Sequence, residues 1–220
     1  MSNAGYHSQL RSPMRAFVPA KARTLLEIGC GDGAFAEGLR AERLARGQAL
    51  EIWGIELEPA VAVRAAARLD QVLAGPAETH VAALPAGYFD CVVMNDVLEH
   101  LAWPEDLLRS LRRVLAPGAC LVASIPNVRH FHNVWDLVVR GDWEYHDEGI
   151  RDRTHLRFFT RASMRGLFDR AGYRVVEQVG INPTRAWRYR LCNLLVLGRL
   201  REMRFLQFAC VAVPAEAAAP

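Results

Sequence analysis

The stretch from Thr24 to Leu39, TLLEIGCGDGAFAEGL, constrains the fold more than any other part of this chain. A short apolar run through Leu25, Leu26 and Ile28 ends in Gly29-Cys30-Gly31-Asp32-Gly33, and helical spacing begins at Ala34. That pattern predicts a buried strand, a glycine turn and a helix. Glycines at alternate positions let the backbone turn sharply. Lacking a Cβ, they also let a ligand lie directly against the main chain. The free N–H groups at the start of the helix face the same space.

Glycine spacing and neighbouring acids narrow the ligand. A dinucleotide loop would read G-x-G-x-x-G, whereas here the third glycine comes one residue early, at Gly33. Glu27 and Asp32 would repel a pyrophosphate, so a ligand with a cationic end suits the loop better. The alternation then continues. Leu50 to Leu57 reads as a second strand ending at Glu56, and Pro59 opens a helix. A third strand closes in Leu73-Ala74-Gly75-Pro76-Ala77-Glu78, and Tyr88 to Met94 is the fourth. A helix runs from Pro104 to Leu115, and Cys120 to Ile125 is the fifth strand. This rhythm predicts a parallel sheet with helices on both faces. Further on, Arg161 to Ala171 reads as a helix stopped at Gly172. Tyr173 to Val179 is a strand, Thr184 to Leu200 a helix and Phe205 to Val213 the last strand.

The run E-I-G-C-G-D-G resembles the first motif of class I S-adenosylmethionine (SAM)-dependent methyltransferases, E/D-x-G-x-G-x-G, at every fixed position. Tyr88 to Met94 resembles the family's F-D-x-V strand. Asn95-Asp96-Val97-Leu98-Glu99-His100-Leu101 resembles the N-D-V-L-E-H-L segment of one subgroup, and Ala116-Pro117-Gly118-Ala119 the turn into the fifth strand. The likeness covers Thr24 to Gly180 and is to the ubiquinone-pathway O-methyltransferases and the type 11, 12 and 23 methyltransferase group. It implies an α/β fold, a Rossmann-like three-layer sandwich with a seven-stranded, mostly parallel sheet and a helical cap insert. It implies SAM as cofactor and S-adenosylhomocysteine as product. Glu27, Gly29, Cys30, Gly31, Asp32 and Gly33 would form the cofactor loop. Glu56, with Leu57 beside it, would take the ribose hydroxyls through two carboxylate oxygens. Asn95 and Asp96 would shape the methionine end. Many relatives place an Asp on the adenine amino group, but Pro76 stands there and has no side-chain acceptor. The Ala77 backbone or the Glu78 side chain would then read adenine, with Glu78 equally readable as a surface charge.

Residues 128–160 break the strand–helix rhythm with aromatics, histidines and charges, and follow the fifth strand, where ligands bind in open α/β sheets. We read them as a substrate cap. Arg153-Thr154-His155-Leu156-Arg157-Phe158-Phe159-Thr160 resembles the T-H-x-x-x-F segment of ubiquinone-pathway relatives, in which this His faces the acceptor. The likeness implies His155 as general base, for which imidazole suits. Asp152 lies near enough in sequence to orient it, and His130 is a second candidate. Each also has a structural reading: a His anchoring the cap through backbone bonds, or cap packing. Asp96, Glu99, His100 and a folded-back His155 would make an O/N metal set. No metal is expected, because Asn95 and Asp96 already have a cofactor role and His100 reads as a cap of the next helix. Five cysteines at irregular spacing, with no C-x-x-C, argue against zinc and disulfides and suit a reducing cytoplasm.

The 220 residues, 51% hydrophobic, suffice for one buried domain, expected over 21–213. Ser2-Asn3-Ala4 reads as a tag remnant preceding a helical arm up to residue 20, and 214–220 as a disordered tail. A net charge of +3 gives no nucleic-acid signature. Only one of the basic residues, Lys21, is a lysine, which reads as codon usage in a GC-rich bacterium. Residues 185–204 interleave arginines with an apolar run. They read as a helix packed on the sheet or as a peripheral membrane contact. The expected function is methyl transfer from SAM to a small-molecule acceptor, preferentially a hydroxyl oxygen on a quinone-like, sugar or lipid-linked molecule, by a monomer or homodimer. A non-catalytic SAM-binding or partner-regulating protein is the alternative. An RNA or protein methyltransferase is disfavoured, because Asn95-Asp96-Val97-Leu98 stands where an Asn/Asp-Pro-Pro-Tyr/Phe motif would be.

Overall fold

The computed structural model describes residues 11–216. The expected tag remnant and parts of the arm and tail lie outside them. Seven strands form one sheet in the order β3-β2-β1-β4-β5-β7-β6. They are β1 (Thr24–Ile28), β2 (Glu51–Glu56), β3 (Gln71–Ala74), β4 (Phe89–Asn95), β5 (Leu115–Pro126), β6 (Tyr173–Pro183) and β7 (Phe205–Pro214). β1 pairs in parallel with both β2 and β4, and β7 runs antiparallel to β5 and β6. This is the mostly parallel, seven-stranded sheet expected. The strand order reverses beside β1, so the carboxyl ends of β1, β2 and β4 diverge around a crevice.

β1 and β4 are nearly continuous apolar runs because helices cover both faces. Alternate residues of β1 feed separate cores. Leu26 and Ile28 join Met94, Leu107, Leu167 and Phe168 on one face, while Leu25 joins Met14, Phe35, Leu39 and Ile52 on the other. The helices are α1 (Ala34–Leu44), α2 (Pro59–Ala65), α3 (Ala77–His80), α4 (Pro104–Leu111), α5 (Phe131–Trp135), α6 (Arg161–Arg170) and α7 (Trp187–Leu195). α6 starts where expected because Thr160 and Ser163 form a reciprocal capping box. It stops at Gly172, whose φ of +80° suits only a residue without a Cβ.

One expectation is corrected. The helix expected over Thr184 to Leu200 occupies only Trp187–Leu195, since Leu197 at φ +54° and Gly198 at φ +78° turn the chain out of it. Within the described part of the expected helical arm, Ser12–Phe17 form a 3-10 helix. Arg43 of α1 fastens it. Buried at 3% exposure, this guanidinium donates to the carbonyls of Ala20 (2.7 Å), Val18 (3.0 Å) and Pro19 (2.7 Å). The arm thereby carries Arg11 over the carboxyl end of the sheet. Arg43→Met removes these charge-assisted bonds and leaves buried carbonyls unpaired, so it is expected to cost about 2–4 kcal/mol of stability. Urea unfolding checks this; an unchanged midpoint would show that the arm needs no such anchor.

Candidate active site

Three strand ends build the crevice. After β1 the chain turns through Gly29 at φ +68° and Gly31 at φ +57°, which L side chains resist. A Cβ on Gly29 would stand 2.7 Å from Val97 Cγ2, whereas one on Gly31 would meet nothing closer than Arg11 at 4.0 Å. The first glycine is therefore required by packing, and the second leaves open room above the turn. The Gly31 N–H donates to Glu56 Oε2 (2.8 Å), and the Glu58 N–H donates to Glu56 Oε1 (3.0 Å). Glu56 is thus held at the end of β2 with lone pairs to spare. After β4, Asp96 takes φ +55°, an uncommon conformation for a residue with a Cβ. Its Oδ1 accepts from Ser124 Oγ (3.0 Å) and Gln207 Nε2 (2.5 Å), which keep it there.

These ends line a cleft of about 400 Å³, within the range of roughly 300–1,000 Å³ of small-molecule sites. Of the residues proposed for the cofactor, Gly29, Gly31, Glu56, Leu57, Ala77, Glu78 and Asp96 line it. Leu57 is mostly exposed there, and Pro76 with Ala77 and Glu78 forms the wall at the start of α3.

The others sit differently. Glu27 and Asn95 lie fully buried among the strand ends, and none of their side-chain oxygens or the Asn95 amide nitrogen has a hydrogen bond. Cys30 turns its thiol into the core against Gly54 and Leu69, so only its backbone belongs to the loop. Asp32 faces outward, paired with Arg68 at 2.8 Å and accepting from the Ala34 N–H. Gly33 packs over Arg68, Ala65 and Leu69 as the residue before α1.

Beside the cleft lies a second cavity of about 120 Å³, and Arg11, Asp96 and His100 line both. Its far wall is the cap: Ile150, Asp152 and His155. His155 Nδ1 is 3.0 Å from the Ile150 carbonyl, which can only accept, so Nδ1 carries the proton. Nε2 lies 3.9 Å from Glu99 Oε1 and would carry the lone pair in the neutral ring. Asp152 does not touch the His155 ring. Its carboxylate instead accepts from the Thr154 N–H and hydroxyl, and Thr154 Oγ1 meets His100 Nδ1 at 3.0 Å. Asp152 thereby shapes the loop that presents His155. His130 lines neither cavity: it is buried beside His132 at 5.4 Å, and burial, then that neighbour, lowers its pKa to about 4.

Sequence reasoning missed Arg11 and underrated Glu99. Arg11 belongs to no motif, and only the tertiary path of the arm delivers it. Glu99 is 1% exposed with both oxygens unpartnered, and burial, reinforced by Asp96, raises its pKa well above the carboxylate range. Glu99, His100 and His155 bring an oxygen and two ring nitrogens within 4.8 Å of one another. These are three of the four side chains weighed as a metal set, although no metal was expected. A larger surface groove, about 530 Å³ beside Trp103 and Arg157, contains no buried polar side-chain atom lacking a partner among the described residues. The unsatisfied groups concentrate at the strand ends.

Comparison with known proteins agrees with this geometry. The profile of the methyltransferase-domain family matches residues 6–178. A ubiquinone biosynthesis O-methyltransferase from Pseudomonas paraeruginosa is 31% identical over 183 residues, spanning 78% of this chain and 73% of the relative. Among solved structures, a SAM-dependent methyltransferase from Archaeoglobus fulgidus superposes with a TM-score of 0.65 at 19% identity, over 96% of this chain and 94% of that one. Magnesium protoporphyrin IX methyltransferase from Synechocystis, solved with bound S-adenosylhomocysteine, gives 0.61 at 12% identity, over 96% and 84%. The chain belongs to the methyltransferase-domain family and is a SAM-dependent methyltransferase. The glycine turn, the Glu56 carboxylate and the Arg11 guanidinium line one cleft and form a cradle whose chemistry fits that cofactor.

Glu27, two residues before Gly29 and fully buried, carries a cost of its own. Burial, only partly offset by the positive charge of Arg11, raises its pKa from 4.5 to about 8. The folded state then binds a proton that the unfolded state has released, so this group's contribution to stability falls as pH rises from 4.5 towards 8. At pH 8 the penalty is on the order of a few kcal/mol. Glu27→Gln should therefore raise the melting temperature of the ligand-free protein, by a margin that widens from pH 5 to pH 8. Calorimetry across that window checks it, and equal melting at pH 8 would contradict the assignment.

Proposed function

We propose that this methyltransferase acts on a hydroxyl oxygen of a small molecule, of quinone-like, sugar or lipid-linked type. One observation carries the reading. The lone-pair nitrogen of His155 and the buried Glu99 carboxyl face a cavity that shares Arg11, Asp96 and His100 with the cofactor cleft.

When bound, SAM supplies an electrophilic methyl on a sulfonium. The chain's own residues align the acceptor and remove its proton. In this reading the Ile150 carbonyl fixes the His155 tautomer, and Nε2 takes the hydroxyl proton. Burial holds Glu99 towards its neutral form, so no fixed negative charge stands beside His155 Nε2. Arg11 offers its guanidinium to the carboxylate of the methionine portion, and Glu56 its free lone pairs to the ribose hydroxyls. The relative named for ubiquinone O-methylation supports oxygen as the methylated atom.

The test is turnover with catechol-type, sugar and lipid-linked hydroxyl acceptors. His155→Gln should lower kcat by about 10²- to 10⁴-fold, the usual worth of a positioned general base, with SAM affinity near wild type by calorimetry. Unchanged turnover would make His155 an anchor of the cap. SAM binding without turnover on any acceptor would favour the non-catalytic alternative.

A further inference from the structure

An apolar, basic surface lies outside both cavities, on the lobe made by α5, the turn after it and α7. α7 buries only Tyr189, which joins Phe131 and Met203 in a small cluster apart from the sheet cores. Its outer face carries Trp187, Leu191, Leu194 and Leu195 at helical spacing. These are exposed, Leu194 at 72% and Leu195 at 74%, and Leu197 just beyond reaches 84%. Leu137, Val138 and Val139 after α5 are exposed as well. The two segments are one lobe: Phe131 stacks edge-on to Tyr189 at 5.7 Å, and the Arg188 guanidinium lies 6.0 Å over Trp135.

Six arginines surround the leucines: Arg185, Arg188, Arg190, Arg199, Arg201 and Arg204, all exposed. Among the described residues none is within 4.0 Å of a carboxylate. The one acid of this stretch, Glu202, is taken by Arg161 at 2.7 Å.

We propose that this lobe docks on the surface of an anionic lipid bilayer. A leucine stripe edged by tryptophan and unpaired arginines is the composition of a helix lying in the membrane interface. Arginine stems can cover apolar surface while their heads reach lipid phosphates. A second copy of this chain fits less well, because a two-fold contact would press the same arginines against each other. Contact is peripheral, since no helix among the described residues is long and apolar enough to cross a membrane. Docking does not depend on which acceptor is methylated.

The experiment is flotation of the full chain with phosphatidylcholine vesicles, with and without an equal share of phosphatidylglycerol. The protein should float with the anionic vesicles and about tenfold less with the neutral ones. Raising salt to about 0.5 M should weaken the binding. Combined Leu191→Glu, Leu194→Glu and Leu195→Glu should reduce it about tenfold without lowering the melting temperature, because all three side chains are exposed. Absence of binding, equal binding to both vesicles, or full binding by the triple variant would overturn the proposal. So would a dimer in ultracentrifugation that the same substitutions split, which would assign the face to a second copy.

Discussion

The bond from the Gly31 N–H to the Glu56 carboxylate joins the turn after β1 to the end of β2, and the cleft depends on it. A glycine turn is free to take many shapes, because Gly has no Cβ to restrict it. Here parallel pairing brings the ends of β1 and β2 side by side, and the carboxylate then fixes one shape. The same bond orients Glu56 itself, so the turn and the acid position each other. The Gly75 N–H donates to the Glu56 carbonyl and brings the third wall up to the same residue.

Around that junction the protein tolerates groups that a core would reject. Glu27, Asn95 and Glu99 are buried with side-chain atoms lacking hydrogen-bond partners, and Asp96 sits in left-handed backbone. Each is unfavourable alone, since a buried polar atom without a partner has lost its hydration. Their concentration at the carboxyl ends of β1 and β4 marks where the fold gives up stability for binding. The rest of the sheet is ordinary by comparison, with fully buried leucines, valines and isoleucines on both faces.

The cap works through indirect contacts. Asp152 was expected to orient the His155 ring, but the Ile150 carbonyl does so, and Asp152 holds Thr154 and through it His100. Sequence distance favoured Asp152, since it lies three residues from His155. The tight turn, in which the His155 N–H bonds the Asp152 carbonyl, instead presents the backbone of Ile150 to the ring. His130 was legible as a titratable group near β5, yet it is buried beside His132 and does not line the cavity that His155 faces.

What the sequence determined is local and periodic. The apolar runs of β1 and β4, the glycines after β1, the acid closing β2 and the cap at Thr160 each state their conformation within a few residues. Strand–helix alternation then leaves few ways to assemble a parallel sheet. What the tertiary structure alone decided is convergence. Arg11 arrives over the cleft because Arg43, distant in sequence, holds the arm's carbonyls. Glu99 and His155 meet because residues 128–160 fold back onto the end of β4. α7 leaves its leucines exposed because it buries Tyr189 alone, against Phe131 and Met203 and apart from the sheet cores. Such contacts depend on the path of the chain through space, and no periodicity or motif within a single segment encodes that path.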